Sequence, residues 1–197
     1  ANVRGPRGST VAHLVRAARC GAGQKDHGTE HGATIAAPRE PGPYGLDMDS
    51  LFDARGNGRV VERIRAISPD ARAEWGKMSA PQALAHCRAA MDVAVGRATP
   101  KRSFIGLLLG GIFRSKVIDG PDPFRPNQPT DPRLVVADPD RLEDEKSALV
   151  ASVQRFRELG PDGMPDGPHP FFGKLRPDQW DRLMSKHLDH HLRQFGA

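Results

Sequence analysis

The chain has 197 residues, of which 27% are charged and 6% aromatic, a composition typical of one folded domain with a hydrophobic core. Its 29 basic and 24 acidic residues alternate along the chain, whereas a nucleic-acid interface gathers Lys and Arg into a stripe. The longest apolar run, residues 104–113, is too short to cross a bilayer. We therefore expect neither a nucleic-acid nor a membrane partner. Cys20 and Cys87 lie in unrelated contexts, which argues against a disulfide framework and favours the cytoplasm.

Residues 1–47 differ in composition from the rest of the chain. They are rich in Gly, Pro, Arg and Ala, with one Tyr but no Phe or Trp. Such a segment buries too little apolar surface to offset the entropy of ordering it. We expect a disordered N-terminal extension over residues 1–47 and a folded domain over residues 48–197.

Helical periodicity first appears in an apolar stripe after residue 48. Its members are Val60, Val61, Ile64 and Ile67. The stripe predicts a first helix that ends at Ser68-Pro69. Ser79 and Gln82 have the spacing of a capping box and predict the start of a second helix. That helix is expected to run to about Val95, just before Gly96.

The next two predicted helices are separated by a long crossing. Residues 102–114 predict a short apolar helix broken at Gly110-Gly111. Its large apolar side chains either form a homodimer contact or pack against the end of the protein's own helices. The Pro- and Asp-rich crossing, residues 119–138, follows. Asp138-Pro139 predicts the start of a long helix that continues through Leu159.

A final helix is predicted from Pro177 to Phe195, after a loop rich in Gly and Pro. Four long helices, one long connection and no alternating strand pattern predict an all-α fold. We expect a four-helix bundle with a long irregular crossover.

Two histidines one turn apart make this final helix the most informative element. His187 and His191 lie on its apolar face. The other members of that face are Trp180, Leu183, Met184, Leu188 and Phe195. Two inward imidazoles at this spacing are typical of a shared metal ion, and the alternative is a pair of hydrogen-bonded core histidines. His190 lies on the flank and is not expected to join them.

A catalytic metal site usually has three protein ligands, so the pair needs a third. His86 lies on the inward side of the second helix, and His169, in the loop before the final helix, is the alternative. His169 and Asp92 are also candidates for outer-sphere or acid–base roles, against the simpler interpretations of loop packing and a solvated helix face. Cys87 turns about 100° away from His86 and is expected to be a packing residue.

Three segments resemble the DinB-like superfamily, and more closely an uncharacterised bacterial branch of it. They are residues 74–87 (EWGKMSAPQALAHC), 169–173 (HPFFG) and 186–191 (KHLDHH). The resemblance covers residues 48–196. It implies a metal-binding four-helix bundle in which His86, His187 and His191 hold a divalent ion. Members of the superfamily include transferases and isomerases that use bacillithiol, mycothiol or glutathione.

Two classes of function follow from this site. The first is a metal-dependent enzyme acting on a small-molecule substrate: a transferase that uses a low-molecular-weight thiol or, second, a hydrolase. Zinc, nickel and iron are the ions that suit imidazole ligands. The second class is a non-catalytic or stress-related helical protein in which the metal is structural. No Ser-His-Asp pattern, GxGxxG motif or P-loop suggests another chemistry.

Overall fold

The computed structural model describes residues 49–128 and 130–197, which contain five α-helices and no β-strand. The helices are α1 (Ala54–Ala66), α2 (Ala80–Ala94), α3 (Phe104–Arg114), α4 (Leu142–Leu159) and α5 (Pro177–Gln194). The prediction of an all-α fold is confirmed for this part of the chain. None of these helices is both long and apolar enough to cross a membrane. The extension expected over residues 1–47 lies outside the described residues.

The ends of α2 follow from local hydrogen bonds that the sequence predicts. The Ser79 N–H donates to Gln82 Oε1 (3.0 Å), and the Gln82 N–H donates to Ser79 Oγ (3.4 Å), so the capping box is confirmed. Gly96 lies beyond the other end with a φ of +77°, a conformation that side chains disfavour. The second predicted helix therefore begins and ends close to where its local sequence indicates.

Helix α3 is continuous, whereas the sequence predicts a break at Gly110-Gly111. Gly106 and Gly110 lie one turn apart and contact the backbone of Phe171. A Cβ atom on Gly106 would lie 2.6 Å from the Phe171 carbonyl oxygen, and one on Gly110 would lie closer still. These two glycines are therefore contact residues, and close packing outweighs their low helix propensity.

Helix α4 begins at Leu142, three residues after the predicted start at Asp138-Pro139. Arg141 has an extended backbone, and its carbonyl accepts the first helical hydrogen bonds, from the Asp144 and Glu145 N–H groups. The side chain of Glu145 accepts from the Asp140 N–H (3.2 Å) and from Arg88 of α2 (2.8 Å). This buried carboxylate holds the preceding residues outside the helix.

Helix α5 is the central element, because eleven of its eighteen residues are buried. Helix α2 packs against both α4 and α5, and α1 packs against the same two helices. The largest fully buried apolar side chains are Trp180, Phe156, Leu51, Ile64, Ile67, Leu84, Met91, Ile118, Leu149, Leu188 and Leu192. The core thus includes the inward faces of α1, α2, α4 and α5.

Buried polar groups of α5 hold the segment that precedes α1. Asp181 is 1% exposed, and its carboxylate accepts from the Leu51 N–H (2.7 Å) and from Ser50 Oγ (2.7 Å). Ser185, one turn later, donates its hydroxyl proton to the Asp49 carbonyl (2.8 Å). This segment is not helical, so its backbone N–H and C=O groups have no intrahelical hydrogen-bond partners. Side chains of α5 supply those partners instead.

Other polar groups of α5 hold the start of the crossing. Lys186 is buried, and its Nζ donates to the carbonyls of Val117 (3.1 Å) and Gly120, at the end of a π-helical turn over Ser115–Asp119. Burial lowers the pKa of Lys186. Gln179 Nε2 donates to the Asp119 carboxylate (3.1 Å). The crossing is therefore attached to the same helix that carries the paired histidines.

The start of α5 needs no Ser or Thr cap. Gln179 Oε1 accepts from the Arg176 N–H (3.2 Å), so Gln179 serves the helix start as well as the crossing. The Arg176 side chain pairs with Asp178 on the surface (2.7 Å).

Replacing Asp181 with Ala is expected to lower the free energy of unfolding by about 2–3 kcal/mol, because the buried Leu51 N–H loses its acceptor. Urea unfolding of the full chain measures this. Glu158→Ala is the matched control, since that carboxylate forms only an exposed pair with Arg155 and should change stability by less than about 0.5 kcal/mol. Equal losses in the two variants would contradict the role given to Asp181.

Candidate metal centre

Three histidines from two helices meet at one point. His86 lies on α2, and His187 and His191 lie one turn apart on α5. Each histidine has one ring nitrogen that lies within 4.8 Å of a ring nitrogen of each of the other two. His86 and His191 are buried, whereas His187 is partly exposed. Of the two alternatives for a third residue, the structure brings His86 to the pair.

The orientation of His86 is set by the crossing. Its Nδ1 lies 3.0 Å from the Leu134 carbonyl oxygen, in a short 3-10 turn over Pro132–Leu134. A carbonyl can only accept, so Nδ1 carries the proton in the neutral ring and Nε2 carries a free lone pair. The crossing therefore selects the tautomer of His86 in which Nε2 is able to bind a cation.

The tautomer of His191 is selected in the same way by Gln194. The amide Nε2 of Gln194 donates to the Trp75 carbonyl, so its Oε1 faces His191 Nδ1 at 2.8 Å. Because that oxygen only accepts, His191 Nδ1 carries the proton and Nε2 is unprotonated. Gln194 is itself 3% exposed, and its backbone carbonyl accepts from the Glu74 N–H (2.9 Å). Three hydrogen bonds, to His191, Trp75 and Glu74, thus hold Gln194 in place.

His187 completes the group through an imidazole–imidazole contact. Its Nε2 lies 2.8 Å from His86 Nε2. Since His86 Nε2 is unprotonated, His187 donates the proton in this hydrogen bond. The same proton would leave Nε2 if a cation took its place, by a change of tautomer to Nδ1–H.

The donor set fits a divalent transition-metal ion. Three imidazole nitrogens bound tetrahedrally to one zinc ion at about 2.0–2.1 Å are about 3.3 Å apart. The separations here, 2.8 Å for the His86–His187 pair and at most 4.8 Å within the group, lie on either side of that value. The group contains no fourth His, Cys, Asp or Glu among the described residues. Within the part of the chain that the structure describes, the arrangement therefore offers three neutral imidazole ligands.

All three rings are held in the neutral form that a metal requires. Burial lowers the pKa of His86, and it lowers the pKa of His191 to about 4. The pKa of His187 is well below its usual value because of burial and the neighbouring His86 and His191. Metal binding therefore need not compete with protonation near neutral pH.

His190 lies outside the group, as the sequence predicts, but it is not simply solvated. Trp75 Nε1 donates to His190 Nε2 (3.4 Å), and His190 Nδ1 contacts the Phe124 carbonyl oxygen (3.3 Å). The His190 ring also packs against His191, with centroids 4.9 Å apart. Trp75 and Phe124 thus both pack against His190, and Phe124 also packs against His187.

His169 organises the loop before α5. Its Nδ1 accepts from the N–H groups of Phe171 and Phe172 (both 3.1 Å), and its backbone exchanges two hydrogen bonds with Gly173. Its ring packs against Trp180, with centroids 5.4 Å apart. Burial lowers the pKa of His169 to about 4. These contacts match the simpler interpretation of loop packing.

Asp92 lies at the contact between α2 and α4. Its carboxylate accepts from Ser152 Oγ (3.0 Å) and lies 3.5 Å from Arg97 and 3.8 Å from Arg88. These contacts give Asp92 a packing role. Cys87 is buried, which raises the pKa of its thiol, and it packs in the core as expected.

Neither Gln194 nor the Leu134 carbonyl was among the candidate residues predicted from the sequence. Gln194 follows His191 by three residues, a spacing that places both side chains on one helix face, so a local signal was present. For Leu134 no local signal exists, because the 3-10 turn reaches His86 through tertiary packing.

Comparison with known proteins identifies one family. A sequence profile described as "Protein of unknown function (DUF1569)" matches residues 49–197. No curated protein and no solved structure matches the chain.

Replacing Gln194 with Leu is expected to lower the affinity for Zn²⁺ by 10- to 100-fold, a range typical of lost outer-sphere partners. The reason is that His191 loses the acceptor that keeps the proton on Nδ1. Calorimetric titration measures the affinity, and long-range ¹H–¹⁵N NMR of the metal-free protein reports the His191 tautomer.

Gln154→Leu, at an exposed position of α4, is the matched control and should change neither readout. An unchanged His191 tautomer in Gln194→Leu would refute this role of Gln194.

The metal-free protein is expected to lose stability as the pH falls from about 6.5 towards 4. Because the pKa of His169 is lowered on folding, the unfolded chain takes up a proton that the native state refuses. His169 alone should account for about 2 kcal/mol between pH 7 and pH 5. In His169→Asn the amide oxygen replaces Nδ1 as acceptor but does not titrate. The loss of stability that His169 causes between pH 7 and pH 5 should therefore disappear in this variant. Urea unfolding at both pH values, with a chelator present, measures it; identical losses in both proteins would contradict the assignment.

Proposed function

We propose, for a chain that belongs to the DUF1569 family, that His86, His187 and His191 hold one divalent metal ion. The observation that supports this most strongly is the convergence of three ring nitrogens, with two of the tautomers selected by backbone or amide acceptors. A group of core histidines that only satisfied one another would not need those selections. Zinc, nickel and iron are the ions that suit the donor set.

A DinB-like four-helix bundle is the fold that we propose for residues 48–197. Helices α1, α2, α4 and α5 would form the bundle, and the segment from α3 through residue 138 would be its long crossover. The packing of α2 and α1 against both α4 and α5 supports this proposal. So does the location of the histidines, which face one another from two packed helices of the core.

The proposed activity is that of a metal-dependent transferase that uses a low-molecular-weight thiol and a small electrophilic substrate. A bound divalent ion supplies Lewis acidity and lowers the pKa of a thiol or water. The protein's own residues hold the ligands neutral, and the partly exposed His187 would leave one side of a bound ion accessible to a substrate. Phe124 packs against His187, and Trp75 packs against the neighbouring His190, which gives the site an apolar border. Hydrolysis is the second reaction that such a site supports.

A non-catalytic, stress-related metal protein is the alternative function. It is favoured by the location of two clefts of about 390 Å³, neither of which is lined by any of the three histidines. Open coordination positions favour catalysis, since structural zinc sites are usually closed by four protein ligands.

Metal analysis of the purified full chain is expected to give about one ion per chain, and Zn²⁺ titration of the chelated protein should recover it. Ala at position 86, 187 or 191 should weaken binding by at least about a hundredfold, more than the loss of an outer-sphere partner. His190→Ala is the control and should retain affinity within about threefold, because its ring nitrogens face Trp75 and Phe124. Unchanged affinity in any ligand variant would refute the site.

Catalysis is tested on the same preparations with glutathione, cysteine and related thiols against an arylating electrophile. Thiol-dependent turnover that His187→Ala abolishes and His190→Ala retains would support the transferase. One bound ion per chain without turnover would support the non-catalytic alternative.

A further inference from the structure

Exposed apolar side chains are concentrated on α3. Of the seven large apolar side chains that are exposed in the described part of the chain, six belong to this helix. They are Phe104, Leu107, Leu108, Leu109, Ile112 and Phe113. The exposed fractions of Phe104, Ile112 and Leu108 are 75%, 71% and 66%. Single exposed apolar residues need no explanation, but a continuous patch marks an interaction site.

The most exposed side chains point directly away from the protein. Phe104, Leu108 and Ile112 follow one another at intervals of four residues and form one ridge, which we call the α3 ridge. Gly106 and Gly110 each lie two residues, or about 200°, from the ridge residues. Because these glycines contact the backbone of Phe171, the α3 ridge faces outward. The α3 ridge is thus an exposed apolar surface that is accessible to a partner.

The contacts of α3 hold it in this orientation. The Ser103 N–H donates to the Pro170 carbonyl (3.0 Å), and Ser103 Oγ caps the first turn. At the other end Arg114 donates to the Lys174 carbonyl (3.0 Å). Between these ends, Gly106 and Gly110 bring the α3 backbone against Phe171, and the Phe113 ring contacts the ring of Phe171. Both ends of the helix are therefore attached, and the ridge is a fixed feature of the surface.

Basic residues flank the helix at both ends. Lys101 and Arg102 precede it, Arg114 is its last residue, and Lys116 follows two residues later. Residues 93–118 contain no Asp or Glu. Asp119, which directly follows this segment, is bound to Gln179. The apolar ridge is thus bounded by positive charge, which is complementary to an anionic surface.

We propose that α3 docks the protein on a membrane that contains anionic lipids. The helix would lie in the plane of the interface, with Phe104, Leu108 and Ile112 at the boundary of the acyl chains and the flanking basic groups at the lipid phosphates. An eleven-residue helix is about 16 Å long and cannot cross the hydrocarbon core, but lying on the surface requires no such length. This proposal replaces the expectation of no membrane partner, which rested on the length needed to cross a bilayer, and it is independent of the metal site.

A second copy of the chain fits the α3 ridge less well. Antiparallel pairing of two α3 helices would place Lys101 and Arg102 beside Arg114 and Lys116 of the other copy. Parallel pairing would place each basic end beside its own equivalent. Either arrangement sets like charges together at both ends, in a segment, residues 93–118, whose sequence contains no Asp or Glu. A surface of lipid phosphates neutralises both ends at once.

Cosedimentation of the full chain with vesicles tests the proposal. One vesicle contains phosphatidylcholine with a third of phosphatidylglycerol, and the other contains phosphatidylcholine alone. The chain is expected to bind the anionic vesicles, and binding should weaken as salt is added. Leu108→Glu should reduce the bound fraction at least about tenfold, because it places a charge where a Leu would be buried. Arg102→Gln with Lys116→Gln should weaken binding about fivefold per charge removed.

Val135→Glu is the matched control, since Val135 is the exposed apolar residue outside α3 (44% exposed), and it should bind vesicles like the wild type. Circular dichroism and thermal melting must remain unchanged in each variant; Ile112→Gln replaces Leu108→Glu if that variant does not fold. Equal binding to both vesicles, or none to either, would overturn the proposal. Sedimentation velocity without lipid provides the remaining outcome: a dimer that Leu108→Glu dissociates, with no vesicle binding, would make α3 a contact between copies instead.

Discussion

The structure depends on one helix that satisfies backbone groups belonging to its irregular neighbours. Helices pair their own N–H and C=O groups, whereas extended segments and turns that pack against a core must find partners elsewhere. Asp181, Ser185, Lys186 and Gln194 of α5 supply those partners to the segment before α1, to the crossing and to the segment before α2. Because these side chains are buried, their bonds are protected from water, and losing one leaves an unpaired polar group in the core.

The candidate metal centre is a product of the same arrangement. The helix that attaches the segment before α2 through Gln194 also carries His187 and His191, so one amide orients an imidazole and joins two elements. The crossing contributes the Leu134 carbonyl to His86 in turn. Burial keeps the rings neutral, and hydrogen bonds select their tautomers. The ring nitrogens of His86 and His191 are therefore ready to bind a cation, and only His187 would have to change tautomer.

In helix α3, close packing outweighs the intrinsic helix propensity of the residues. Its glycines are poor helix formers, yet the backbone of Phe171 leaves no room for a side chain at Gly106 or Gly110. The large apolar residues consequently face outward instead of covering the core. The close contact between the α3 glycines and Phe171 thus leaves the large apolar side chains of α3 on its outer face.

The amino-acid sequence by itself determined the features that arise within a few residues. The helical stripe of α1, the capping box of α2 and the i,i+4 spacing of His187 and His191 follow from periodicity and local hydrogen bonds. Only the tertiary structure decided that His86, and not His169, joins the pair, that Gly110 continues a helix, and that α4 starts at Leu142. The first two depend on partners far away in the chain, the Leu134 carbonyl and the Phe171 backbone, and the third depends on Glu145, which pairs with the distant Arg88. Such contacts leave no periodic signal, because their geometry exists only once the helices have packed.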